Sequence, residues 1–72
     1  MSVAIVKVFE LVGESSKDWQ DAATNAIAEA SKAVDKIVAA EIVNWTANIS
    51  EGRIKEYKAN VKVAYVGEIR SI

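Results

Sequence analysis

Between Ser16 and Ile37 the apolar residues Trp19, Ala22, Ala23, Ala26, Ile27, Ala30, Ala33, Val34 and Ile37 recur at intervals of three and four. That period marks one face of an α-helix, and Lys17, Asp21, Glu29, Lys32 and Lys36 fall elsewhere around the cylinder. The apolar stripe is mostly alanine. Alanine favours helix formation and lets a neighbouring backbone lie close, but it buries little area per residue. A chain built around this helix must draw its large core side chains from the sheet that packs on it.

The segments on either side read as strands. From Val3 to Val12 the chain is apolar at both parities, with Val3, Ile5, Phe9 and Leu11 alternating with Ala4, Val6 and Val8. Such a strand asks for cover on both faces. Gly13 is expected to end it, and Ser15 with Asp18 three residues on is expected to cap the helix in the manner of a capping box. After the helix, "AEIVNWTANI" puts Val43, Trp45, Ala47 and Ile49 at odd positions against Asn44, Thr46 and Asn48 at even ones, which predicts one buried face. "SEGRI" is a short reversal in which Gly52 can take a positive φ. The next strand alternates more cleanly, with Tyr57, Ala59, Val61, Val63 and Tyr65 on one side and Glu56, Lys58, Asn60 and Lys62 on the other.

The order is β-α-β-β, an α+β domain spanning residues 1–72, in which a three-stranded antiparallel sheet packs across one amphipathic helix with no linker or internal repeat. Trp45 shares the parity of Val43 and Ile49, so it is expected to point at the helix as a core residue. The competing reading makes its indole the stacking plate of a ligand site.

A domain of 72 residues closes a core worth only about 3–5 kcal/mol. With no cysteine and no histidine, disulfides, thiolate metal sites and imidazole chemistry are excluded, which leaves oligomerisation as the source of further stability. Nine Lys+Arg against ten Asp+Glu give no basic face for nucleic acid. No apolar run approaches a membrane span and no secretion signal is seen, so a cytoplasmic protein is expected. "NWT" and "NIS" match the glycosylation pattern, but without a secretory signal they read as chance occurrences in a strand.

Catalysis would have to rest on carboxylates, lysines, tyrosines or hydroxyls, and no acid pair stands in a recognisable motif. No catalytic residue is assigned, and the chain reads as non-enzymatic; a small enzyme using Lys58 and Tyr57 is the weakest of the classes considered. A hard cation such as Ca²⁺ needs only oxygen ligands, but no EF-hand loop exists, and Glu10, Glu14, Asp18, Asp21 and Asp35 read as solvated, capping or ion-paired. A site shared across a symmetry axis is invisible in one sequence, so no metal ligand is named.

"VGESSKDWQDAATNAIAEASKAVDKI", "AEIVNWTANI" and "GRIKEYKANVKVAY" together resemble the dodecins over nearly the whole chain. The family pattern is a strand ending in V-G-x-S, a helix with spaced alanines, a second strand of the type V-V-x-A-E-V-V and a third reading E-Y-x-x-x-x-x-V-x-F/Y. Here these fall at Val12 to Ser15, Ala22 to Ala33, Ile37 to Val43 and Glu56 to Tyr65. The resemblance implies a dodecin-like β-α-β-β subunit whose sheet wraps its helix, assembling with itself into a hollow homododecamer.

Flavin-binding dodecins store or sequester riboflavin or FMN, stacking paired rings between tryptophans of symmetry-related subunits and holding the ring's polar edge with a glutamine on the third strand. The resemblance puts Ala39, with Val38 beside it, at the stacking position and Lys58 at the glutamine position. A methyl group forgoes a stacking contribution of about 0.5–1.5 kcal/mol per aromatic pair. Lys58 donates hydrogen bonds and accepts none, so it can meet a flavin carbonyl but not the adjacent ring N–H. The implied function is flavin binding in an altered pocket of Val38, Ala39 and Lys58, with Trp45 as a substitute plate. Trp45 lies six residues past Ala39, an even offset that keeps parity only in a regular strand. The alternative is a calcium-binding shell without flavin, similar to the bacterial dodecins that carry a small and a basic residue at the two positions.

Overall fold

A computed structural model of the chain describes residues 6–69, so the expected strand residues Val3, Ala4 and Ile5 lie outside the described part. Four elements follow one another: β1 (Lys7–Ser15), α1 (Trp19–Ala33), β2 (Val34–Ser50) and β3 (Arg53–Ile69). The sheet order is β1-β3-β2 and both pairings are antiparallel, which makes β3 the central strand. This is the α+β, β-α-β-β architecture expected from the sequence.

Length sets the shape. The two 17-residue strands at ~3.3 Å per residue run about 56 Å, whereas the 15-residue helix at 1.5 Å per residue runs about 22 Å. The described residues accordingly measure 57 × 23 × 13 Å. The helix packs chiefly on β1 and β3 and touches β2 less.

The alanine stripe behaves as its sequence requires. Ala22, Ala23, Ala26 and Ala30 are buried against Ala59, Val61 and Val63 of β3, with Phe9, Leu11, Ile27, Ile37, Ile42 and Tyr57 packed around them. Tyr65 is also buried and meets Phe9 edge-on at 5.5 Å between ring centroids. All five odd-numbered residues expected on the inner face of β3 therefore point at the helix.

Several boundaries differ from the sequence expectation. Gly13 does not end β1, which continues to Ser15; a Cβ at Gly13 would lie 2.0 Å from the Ala22 carbonyl oxygen and 2.8 Å from the Ala26 Cβ. The glycine is there because strand and helix backbones nearly touch. The N-cap is Asp18 rather than Ser15, its carboxylate accepting from the Asp21 N–H at 2.7 Å. Ser15 instead donates to Asp21 Oδ2 at 2.6 Å and accepts from the Lys17 N–H at 2.9 Å. The helix stops at Ala33, four residues before Ile37, because Val34 is already extended (φ −131°, ψ 156°) and leads straight into β2. Val34 and Ile37 fit both the helical spacing and strand packing, so periodicity could not tell the two apart.

The reversal between β2 and β3 is a two-residue turn. Glu51 (φ 52°) and Gly52 (φ 76°) both adopt the left-handed region, as a type I′ hairpin requires, and Ser50 pairs with Arg53.

Candidate functional site

The sheet has a helix face and an open face, and the register assigns every side chain to one of them. On the open face, successive cross-strand rows contain Val8, Ala64 and Ala39; Glu10, Lys62 and Glu41; Val12, Asn60 and Asn44; and Glu14, Lys58 and Thr46. The first row is apolar, the second and fourth carry charge, and the third sets Val12 beside two asparagines. Val8 and Val12 are 58% and 56% exposed, although both are β-branched residues of a nine-residue strand.

β2 does not alternate regularly. Its register with β3 shifts between Val34 and Lys36, Ile37 and Ala39, Ile42 and Asn44, and Asn48 and Ile49. The extra residue lies in β3 in the first and fourth shifts and in β2 in the second and third, and each one in β2 exchanges the faces of the β2 residues after it. Val38 is the extra residue of the second shift and stands half exposed beside Ala39. Val43 is the extra residue of the third, so the buried face predicted from Val43, Trp45, Ala47 and Ile49 does not form as one set.

Trp45 shows the consequence. Ala39 pairs with Ala64 on the open face, whereas Trp45, one shift later, pairs with Ala59 on the helix face. It faces the helix side as expected, yet it is not core: it remains 49% exposed, because β2 is the edge strand least covered by α1. The tryptophan that packs is Trp19, whose ring meets Tyr57 edge-on at 4.7 Å and whose indole N–H donates to the Thr46 carbonyl at 2.8 Å. The structure therefore separates Trp45 from Ala39 and Lys58, which share the open face.

Ala39 lies in an open cavity of about 530 Å³ lined by Val8, Ala39, Ala40, Glu41, Lys62 and Ala64. The floor is aliphatic, and one carboxylate and one ammonium stand on its rim. Lys58 is not in that cavity. Its row is six residues of β3 away from Ala64, about 20 Å along the strand, which is further than one flavin ring system reaches. Lys58 instead forms an ion pair with Glu14 across β1 and β3, Nζ to Oε2 3.2 Å.

Glu14 was legible only as one of several acidic residues. The signal that picks it out is the repeat of Glu10 and Glu14 at the same spacing as Lys62 and Lys58 on an antiparallel partner, which places opposite charges face to face. Among the described residues no three carboxylates converge as a metal site. No described helix is long and apolar enough to cross a membrane.

The dodecin family pattern matches residues 5–68. This chain belongs to the dodecin family. Solved dodecins share its fold: the dodecin from Streptomyces coelicolor superposes with a TM-score of 0.87 at 26% identity, covering 94% of this chain and 97% of that one. A substituted dodecin from Thermus thermophilus gives a TM-score of 0.85 at 29% identity over 92% of this chain and 98% of that one. The calcium dodecin of Mycobacterium tuberculosis, described as a calcium-chelating immunodominant antigen, gives 0.79 at 23% identity over 90% and 93%, a likeness of fold. No curated protein sequence matches the chain. In this dodecin β2 carries a methyl group at 39 and a bulge on each side of the Ala39–Ile42 stretch.

Proposed function

We propose that this dodecin is a non-enzymatic binding protein that assembles into a hollow homododecamer and holds flavin, riboflavin or FMN, at sites on its open sheet face. The observation that carries the reading is the uncovered open face: among the described residues nothing covers Val8, Val12, Ala39 and Ala64, which lie on the same side as Lys58. Burial of that face against further copies supplies the stability that a 72-residue core lacks.

The distance between Ala39 and Lys58 gives the proposed site its form. A single flavin that meets Val38 and Ala39 of one copy takes its polar contact from Lys58 of another, so the site exists only in the assembly. With a methyl group at 39, van der Waals contact replaces ring-on-ring stacking, and affinity falls below that of a site walled by tryptophan. Trp45, on the opposite face, takes no part in this pocket.

The test is size-exclusion chromatography with light scattering, with and without excess riboflavin or FMN, following the visible flavin band. A particle of twelve subunits carrying flavin is the expected result; a monomer overturns the assembly, and a flavin-free particle overturns the pocket. Ala39→Trp with Lys58→Gln is expected to strengthen flavin binding sharply, and no gain would remove these positions from the site.

A second reading, a calcium-binding shell, has support in Glu41 at the cavity rim and Glu10 two strands away in the same row. Carboxylates of several copies meeting at an axis would supply the oxygen ligands that Ca²⁺ takes. It predicts a melting temperature that falls on adding chelator and recovers with Ca²⁺; indifference to chelator sets it aside.

A further inference from the structure

The Glu14–Lys58 pair is held more firmly than its exposure suggests. Gly13 is pressed against the helix backbone, the Ser15 hydroxyl is tied to Asp21, and the Glu14 carbonyl accepts from Asn25 Nδ2 at 2.8 Å, so the residue bearing the carboxylate is fixed on three sides. Lys58 springs from the central strand directly opposite. Its ammonium reaches Glu14 Oε2 at 3.2 Å, and the two side chains are 30% and 52% exposed. Among the described residues no other polar group contacts Glu14 Oε1 or the remaining Lys58 N–H donors.

The pair thus presents an acceptor beside a donor on an open surface, with the exposed methyl groups of Val12 two residues along on the same face. A lysine alone only donates. A ligand whose ring edge carries a carbonyl next to an N–H needs both functions side by side, and the Val12 methyl groups next to them offer part of its ring plane an apolar contact, beside the amides of Asn60 and Asn44. We infer that Glu14 is a specificity-determining residue of this dodecin: Glu14 and Lys58 act together as one acceptor–donor unit that reads the imide edge of a flavin, Lys58 donating to a ring carbonyl and Glu14 accepting from the ring N3–H. This rests on the flavin reading above.

The test compares riboflavin with N3-methylriboflavin, which keeps the ring and its carbonyls but has no N3–H. Binding is followed by quenching of flavin fluorescence on the assembled protein, with light scattering on the same samples. The wild type is expected to bind riboflavin about tenfold more tightly than the methylated ligand, the size of one hydrogen bond to a charged group. Glu14→Ala is expected to bring the two affinities within about twofold, and Glu14→Gln, which keeps an acceptor, to retain the preference. Lys58→Gln supplies donor and acceptor from one amide, so in that background Glu14→Ala should no longer matter. Equal affinity of the wild type for both ligands overturns the inference and leaves the flavin reading standing. Binding of neither ligand by the wild type overturns the flavin reading and the inference with it. Should Glu14→Ala fail to assemble, the wild-type comparison and the Glu14→Gln variant still decide.

Discussion

The helix face and the open face of this sheet are made from similar side chains but end in different states. Val61 and Val63 on the helix face are completely buried, whereas Val8 and Val12 on the open face remain more than half exposed. Residue type does not separate them, since all four are valines in paired strands. What differs is the cover: α1 supplies close-packed alanines to one face, and among the described residues nothing covers the other. A β-branched run apolar at both parities asks for cover on both faces, and α1 provides it on one.

The largest effect tests how tightly the helix face is closed. Gly13→Val would drive a side-chain Cβ into the Ala22 backbone carbonyl, which cannot swing aside, and is expected to cost at least about 3 kcal/mol in urea unfolding. A small cost would mean that strand and helix can separate and that the closure is loose.

Next, Trp19→Ala is expected to lower stability by about 3 kcal/mol, since it removes the edge-on contact with Tyr57 and the bond to the Thr46 carbonyl. Trp45→Ala is expected to cost under about 1 kcal/mol in dilute, unassembled protein, because half its surface is already in water. Equal losses for the two would break the distinction between a packed and an uncovered indole.

Val61→Ala is expected to cost about 2–3 kcal/mol at every protein concentration, for it opens a cavity under the helix. Val12→Ala should change the dilute protein by less than about 0.5 kcal/mol and act on the assembly instead, seen as dissociation at higher concentration in light scattering. A loss at Val12 equal to that at Val61 in the unassembled chain would show that the open face is not open.

The smallest effect concerns the exposed charges. Glu14→Gln leaves the partly exposed Lys58 without its ion pair, and a change in stability below about 1 kcal/mol is expected, falling further in high salt. A larger loss would mean that the pair holds β1 on the sheet rather than presenting polar groups to a ligand.

Much of this was legible along the chain. The alanine period located α1, the clean alternation of Tyr57 to Tyr65 fixed the buried face of β3, and "EG" between two alternating runs placed the hairpin. The dodecin likeness assigned Ala39 and Lys58 to one pocket, but the distance between them along β3 became apparent only when the register was known. The helix ends were less legible, since Val34 and Ile37 suit helix and strand alike and Asp18 competes with Ser15 for the cap.

The sequence by itself determined the elements, their order and the inner face of the central strand, because these depend on local period and on turn chemistry that neighbouring residues set. Only the tertiary structure decided which way β2 faces and which tryptophan is covered. A bulge adds one residue without altering composition, so the passage from Ala39 on the open face to Trp45 on the helix face left no mark on the pattern of apolar residues. And a helix of about 22 Å laid on strands of about 56 Å covers whatever lies beneath it, here Tyr57 and Trp19 at its start, and leaves the edge strand's Trp45 in solvent.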